Sequence, residues 1–117
     1  MINLQNLDSS EPQAVFDFIY THLKTQKAVS EDKTGSCLYK GDNGLKCAAG
    51  CLIGDSEYIK SIEHQSWPEV AEFFSIQRHT NMISEFQLIH DGVNYPNGDW
   101  VGEVKSLAIR NHLTFTE

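Results

Sequence analysis

Cys37-Leu-Tyr-Lys-Gly-Asp-Asn-Gly-Leu-Lys-Cys-Ala-Ala-Gly-Cys-Leu-Ile-Gly-Asp55 is the stretch on which the fold turns. Asn43-Gly44 at its centre is a strong short-range hairpin signal, because a two-residue primed turn needs positive φ at both central positions. With that turn, Asp42 faces Leu45, Lys40 faces Cys47 and Leu38 faces Ala49. Leu38, Lys40, Leu45, Cys47, Ala49, Cys51 and Ile53 then share one sheet face, which is nearly all apolar. Cys37, Tyr39, Lys46, Ala48, Gly50 and Leu52 share the other. The alternation therefore predicts a β-hairpin over 37–53 with its apolar face on the core. Ala48, Ala49 and Gly50 are small enough for another element to approach the backbone closely, a packed helix before a bound ligand or partner strand.

The flanking sequence reads as amphipathic helix. Ser10-Glu-Pro-Gln13 has the form of a helix start, and Val15, Phe16, Ile19, Tyr20 and Leu23 follow at helical spacing towards an end near Lys27. Residues 30–36 are polar and turn-rich. Asp55 is placed to cap a short helix through Tyr58 to Ile62. Ser66-Trp-Pro-Glu69 repeats the cap, proline and acid pattern before Val70, Phe73, Phe74 and Gln77, which mark a helix. Thr80 or Asn81 opens a helix with Met82, Ile83, Phe86 and Ile89 on one side, and Gly92 terminates it. Asn94 to Gly98 is a loop, and Asp99 caps a last helix with Trp100, Val104, Leu107 and Ala108 buried. Trp67, Trp100, Phe73 and Phe74 are expected in the core, with Trp67 the most exposed of them. The expectation is one α+β domain spanning 1–117, with four to five helices packed around a single hairpin that leans on them for stability.

Composition narrows the function. The chain has 117 residues, 40% of them hydrophobic, and a net charge of −7. That is enough for one core without staples. The charge disfavours nucleic acid and anionic membrane, both of which repel an acidic domain. Met1 is followed by no basic start and no apolar run, and no stretch approaches the ~20 apolar residues of a membrane span. Three cysteines, an odd number, point to free thiols in a reducing cytoplasm.

Three groups of residues carry candidate chemistry. Tyr39, Lys40 and Lys46 surround the glycine-rich turn, where ammonium groups and turn amides could cradle an anion, although Asp42 opposes it. Cys47 and Cys51 invite a zinc reading, but their spacing departs from the usual knuckle. In a strand their sulfurs would lie ~13 Å apart, whereas in a helix they would come within ~6 Å. Either cysteine, or Cys37, could also act as a nucleophile with one of five histidines, as in a Cys47, His90 and Asp91 grouping. His90-Asp91 sits at a helix C-terminus, where the dipole favours imidazolium. Burial of the cysteines as small hydrophobes is the simpler account.

Tyr39-Lys40-Gly41, then Gly44-Leu-Lys-Cys-Ala-Ala-Gly-Cys-Leu-Ile53, then Asp55 and Tyr58, resembles a group of small proteins from tailed bacteriophages and bacterial genomes. Gly54 stands where that group often has Pro, and Lys40 where Arg is common. The resemblance implies a phage or bacterial cytoplasmic origin and a single domain, and carries no assigned activity. The reading that follows is a small cytoplasmic binding protein, a phage accessory or host-modulating factor. It would bind a protein or a small anionic ligand stoichiometrically through Tyr39, Lys40, Lys46, Asp55 and Tyr58, without cofactor or metal. The alternative is a small cysteine- or zinc-dependent enzyme using Cys47 or Cys51 with a histidine.

Overall fold

The computed structural model describes residues 2–28, 30–31, 37–91 and 99–116. The predicted loop segments 32–36 and 94–98, and the terminator Gly92, lie outside them. Four α-helices are formed: α1 (Pro12–Gln26), α2 (Trp67–Phe73), α3 (Thr80–Asp91) and α4 (Trp100–Arg110). The first three-residue 3-10 turn, Leu7–Ser9, buries Leu7 beneath them. Helix α3 is central and packs against α1, α2 and α4.

Each helix follows from local chemistry. Pro12 begins α1 at a position whose N–H would be unpaired anyway. Ser10 does not cap it; its hydroxyl donates to the Asn6 carbonyl at 2.8 Å, and Glu11 precedes the helix without a side-chain bond. Ser66 and Glu69 form a complete capping box on α2, and the Asp99 carboxylate accepts from Gly102 N–H at 3.1 Å on α4. The expected stripes are buried: Val15, Phe16, Ile19, Tyr20 and Leu23 on α1, Met82, Ile83, Phe86 and Ile89 on α3, and Trp100, Val104, Leu107 and Ala108 on α4. Phe16 and Phe86 meet with ring centroids 5.1 Å apart, and Tyr20 meets Trp100 edge-on at 5.9 Å. Burial of each large side chain contributes roughly 1.5–3 kcal/mol. Phe73 is the exception to the expected core, being 61% exposed.

Helices α2 and α4 end in Schellman motifs built without glycine. Ile76 N–H donates to Ala71 O at 2.7 Å around Ser75 (φ 60°), and Leu113 N–H donates to Ala108 O at 2.8 Å around His112 (φ 57°).

The hairpin does not form, and the α+β expectation is corrected: among the described residues the protein is helical, with an isolated bridge between Glu31 and Cys37 and no sheet. The Asn-Gly turn itself is present. Asn43 and Gly44 have φ of 59° and 77°, and Leu45 N–H donates to Asp42 O at 3.1 Å. Its arms, however, find other partners. Tyr39 and Lys40 N–H donate to the two carboxylate oxygens of Glu63 at 2.8 and 3.2 Å. The Gln26 side-chain amide both accepts from Lys46 N–H (2.9 Å) and donates to Lys46 O (2.8 Å), as a neighbouring strand would. Ala49 N–H donates to Gln87 Oε1 at 3.1 Å.

Residues 47–53 coil instead of extending. Cys51 N–H reaches Cys47 O at 3.2 Å, and Leu52 and Ile53 close onto Ala49 and Gly50. The small side chains do permit a close approach, but the approaching element is the backbone of Tyr39. A Cβ at Gly50 would collide with the Tyr39 carbonyl oxygen. Gly50→Ala is therefore expected to cost about 2 kcal/mol or more in urea unfolding. Gly44→Ala, in open space at φ 77°, should cost only about 1 kcal/mol. Equal costs at the two positions would contradict this packing.

Candidate functional site

Four of the five predicted contact residues converge on one surface. Lys46 Nζ lies 3.3 Å and Lys40 Nζ 3.7 Å from Asp55 Oδ1. Lys40 Nζ also sits 5.3 Å above the Tyr58 ring, whose hydroxyl donates to Glu63 Oε2 at 2.6 Å. Asp55 thus does not cap a helix; residues 55–57 form a turn, and a 3-10 turn at Lys60–Ile62 replaces the expected helix. Lys46 and then Lys40 hold the exposed Asp55 carboxyl below the usual carboxylate range. Burial, followed by the bond to Glu63, pushes the Tyr58 hydroxyl up to about 12. The fifth residue, Tyr39, is turned inward: its side chain is buried and its hydroxyl donates to Gln65 O at 2.6 Å. The two ammonium groups share the Asp55 carboxylate, so an incoming anion would have to displace Asp55.

The cysteines divide between two places. Cys47 is fully buried and its sulfur accepts from Gly50 N–H at 3.3 Å. Cys51, one helical turn on, donates to Ala48 O at 3.1 Å, and burial raises its thiol to about 12. It faces a separate hollow on α1, beside Phe18 and His22. Cys37 instead neighbours Cys47 and Asp91. Gln87 Nε2 donates to Cys37 Sγ and to Asp91 Oδ1, each at 2.8 Å. Cys47, burial and the Asp91 charge raise the Cys37 thiol far above its ordinary value. A thiol held protonated is a poor nucleophile.

His90 does not complete a catalytic pair. It is fully buried, its Nε2 accepts from Ser30 N–H at 3.2 Å, and burial lowers it to about 4. The ring is neutral at pH 7, the reverse of the imidazolium that the helix terminus suggests. Nε2 accepts, so Nδ1 carries the proton, and Nδ1 is buried with no partner among the described residues. No group of three or more His, Cys, Asp or Glu among the described residues is placed to hold a metal ion.

A cavity of about 600 Å³ opens between the start of α2 and the outward stripe of α3. Trp67 and Pro68 form one wall, and Ser84, Gln87, Leu88 and Asp91 form the other. The floor includes Cys37 and Tyr39, the latter with its ring centroid 6.5 Å from that of Trp67. Trp67 is 2% exposed, not the most open aromatic as the sequence suggested. Its Nε1 and the Ser84 Oγ are buried with no hydrogen-bond partner among the described residues. Leu88, by contrast, is 72% exposed at the rim. Burial pushes the Asp91 carboxyl up, against the bonds from Gln87 and Cys37. Sequence reasoning missed this wall. A signal was present: residues 84, 87, 88 and 91 share one helical face, and Leu88 lies off the core stripe.

No family model, curated protein or solved structure matches the chain. No helix among the described residues is long and apolar enough to cross a membrane.

Two stability predictions follow from this geometry. Glu63 takes both backbone N–H groups and the Tyr58 hydroxyl, so Glu63→Ala should lower unfolding free energy by about 2–3 kcal/mol. Amide exchange at Tyr39 and Lys40 should accelerate in that variant; unchanged protection would refute the role of Glu63. For His90, the folded value of about 4 lies below the unfolded 6.5. The unfolded state then binds more protons, so stability is complete above pH 6.5 and is lost as pH falls towards 4. His22, lowered by burial, acts in the same sense, while the raised Asp91 opposes it at the acid end. About 2 kcal/mol should disappear between pH 7 and 4.5. His90→Gln should flatten that slope in urea melts, and an unaltered slope would place the dependence elsewhere.

Proposed function

We propose that this protein binds a small molecule stoichiometrically in the cleft between α2 and α3. The observation that carries the reading is a 600 Å³ cleft whose walls hold two buried polar atoms without partners, Trp67 Nε1 and Ser84 Oγ. An unpaired buried polar group costs roughly 1–3 kcal/mol, and a ligand that supplied the missing partners would remove that cost. The volume lies within the range of ordinary ligand sites, and the walls set Trp67, Pro68 and Leu88 among polar side chains of His64, Gln65, Ser66, Ser84, Gln87 and Asp91. The exposed Leu88 adds apolar surface at the rim. The raised Cys37 and Cys51 thiols and a neutral, already bonded His90 favour binding over thiol catalysis. The resemblance to phage and bacterial proteins supports an accessory role in a bacterial or phage-infected cytoplasm.

A second reading rests on Lys40, Lys46, Asp55 and Tyr58. Two ammonium groups there share one exposed carboxylate, so an acidic group from a partner protein or small anion could replace Asp55.

A fragment screen followed by amide and indole NMR separates the two. Fragments seated in the cleft should shift the Trp67 indole N–H and the Leu88 amide. Ser84→Trp, which fills the cleft from its wall, should weaken them about ten-fold or more while leaving the Trp100 indole signal in place. Shifts confined to Lys40, Lys46 and Tyr58 would support the second reading. Shifts confined to Phe18 and His22 on α1 would overturn both.

A further inference from the structure

Resting on the cleft as the ligand seat, we infer that its ligand is an organic amine, an ammonium group on an aromatic or apolar body, with Asp91 as its counter-ion. Asp91 is the sole Asp, Glu, Lys or Arg among the described residues of the cleft wall. Among the described residues, no lysine or arginine pairs with it. A carboxylate offers about four acceptor positions, and the Gln87 amide uses one of them. The amide also orients the carboxylate, so a second donor meets a placed acceptor.

The surroundings favour a cation at that point. Asp91 closes α3, where the helix dipole presents its negative end. Glu31 lies close enough to Asp91 to add a second negative charge there. Tyr39 and Trp67 back the cleft as buried rings, and the exposed Pro68 and Leu88 supply the apolar surface for the ligand's body. The net charge of −7 draws cations from a distance and repels anions. This selects against the small anion suggested by the lysines of the neighbouring turn, which lie outside the cleft.

Three indoles of matched shape test the inference: tryptamine, indole and indole-3-acetate, titrated against the full chain with the Trp67 indole N–H and Leu88 amide as reporters. Tryptamine should bind about two- to five-fold more tightly than indole, the gain expected of an ion pair with the exposed Asp91 carboxylate, and indole-3-acetate should be weakest. Asp91→Asn keeps an acceptor for Gln87 and should reduce tryptamine to the affinity of indole. Leu88→Lys, at an exposed position that does not threaten the fold, should weaken tryptamine and strengthen indole-3-acetate. Equal binding of all three with the cleft reporters moving would overturn the amine class while leaving the cleft as the ligand seat. Movement of neither reporter with any of the three would overturn both.

Discussion

The backbone of residues 37–53 crosses the protein with no ladder to pair with, and side chains take the ladder's place. Gln26 reaches from α1, Gln87 from α3 and Glu63 from the irregular segment itself. Buried peptide groups left unpaired would each be costly, so this path exists only because those three residues meet it. The same bonds position the cleft. Glu63 fixes Tyr39 and Lys40, and Gln87 joins Ala49, Cys37 and Asp91 through one amide. Loss of the clamps would dissolve the floor of the cleft before it disturbed the helices.

Two surfaces with different electrostatic character result. Lys40, Lys46, Asp55 and Tyr58 form a cluster in which both ammonium groups share the Asp55 carboxylate at the exposed side of the turn. The cleft, on the other side of Tyr39, keeps unspent bonding capacity at Trp67, Ser84 and Asp91. The contrast explains why an arrangement that looks richer in charged residues offers less to a ligand. A salt bridge already closed must be opened before it can bind anything, and an exposed one yields little when reformed.

The helices were legible because their information is local. Periodic apolar residues, the Ser66 to Glu69 box and the Asp99 cap each act within one or two turns. The hairpin misled because its signals were also local and partly right. Asn43-Gly44 does take positive φ at both positions, but the 37–53 alternation fails: Tyr39, Ala48 and Leu52 of the face expected to point away from the core are buried beside Cys47, Ala49 and Ile53, and Lys40 of the expected core face is exposed. What decided against strands came from far along the chain: Gln26 and Glu63 on Lys46 and Tyr39, and the contact of Gly50 with the Tyr39 backbone. Lys40, Lys46, Asp55 and Tyr58 lie close together in sequence and are neighbours in space. The cleft was not legible, because its walls come from α2, α3 and the irregular segment, and because an unpaired indole N–H leaves no mark on sequence.

The helix ends around Ser75 and His112 place L-residues with a Cβ where glycine is the usual occupant, and Lys27 does the same at the end of α1. Each left-handed residue carries a penalty of roughly 1–2 kcal/mol that packing elsewhere must outweigh. These sites are therefore reservoirs of mutational freedom. In relatives of this chain, drift towards glycine or asparagine at 27, 75 and 112 would relax the backbone without altering its path. A lineage under thermal selection could accumulate such changes first, since none of the three touches the cleft.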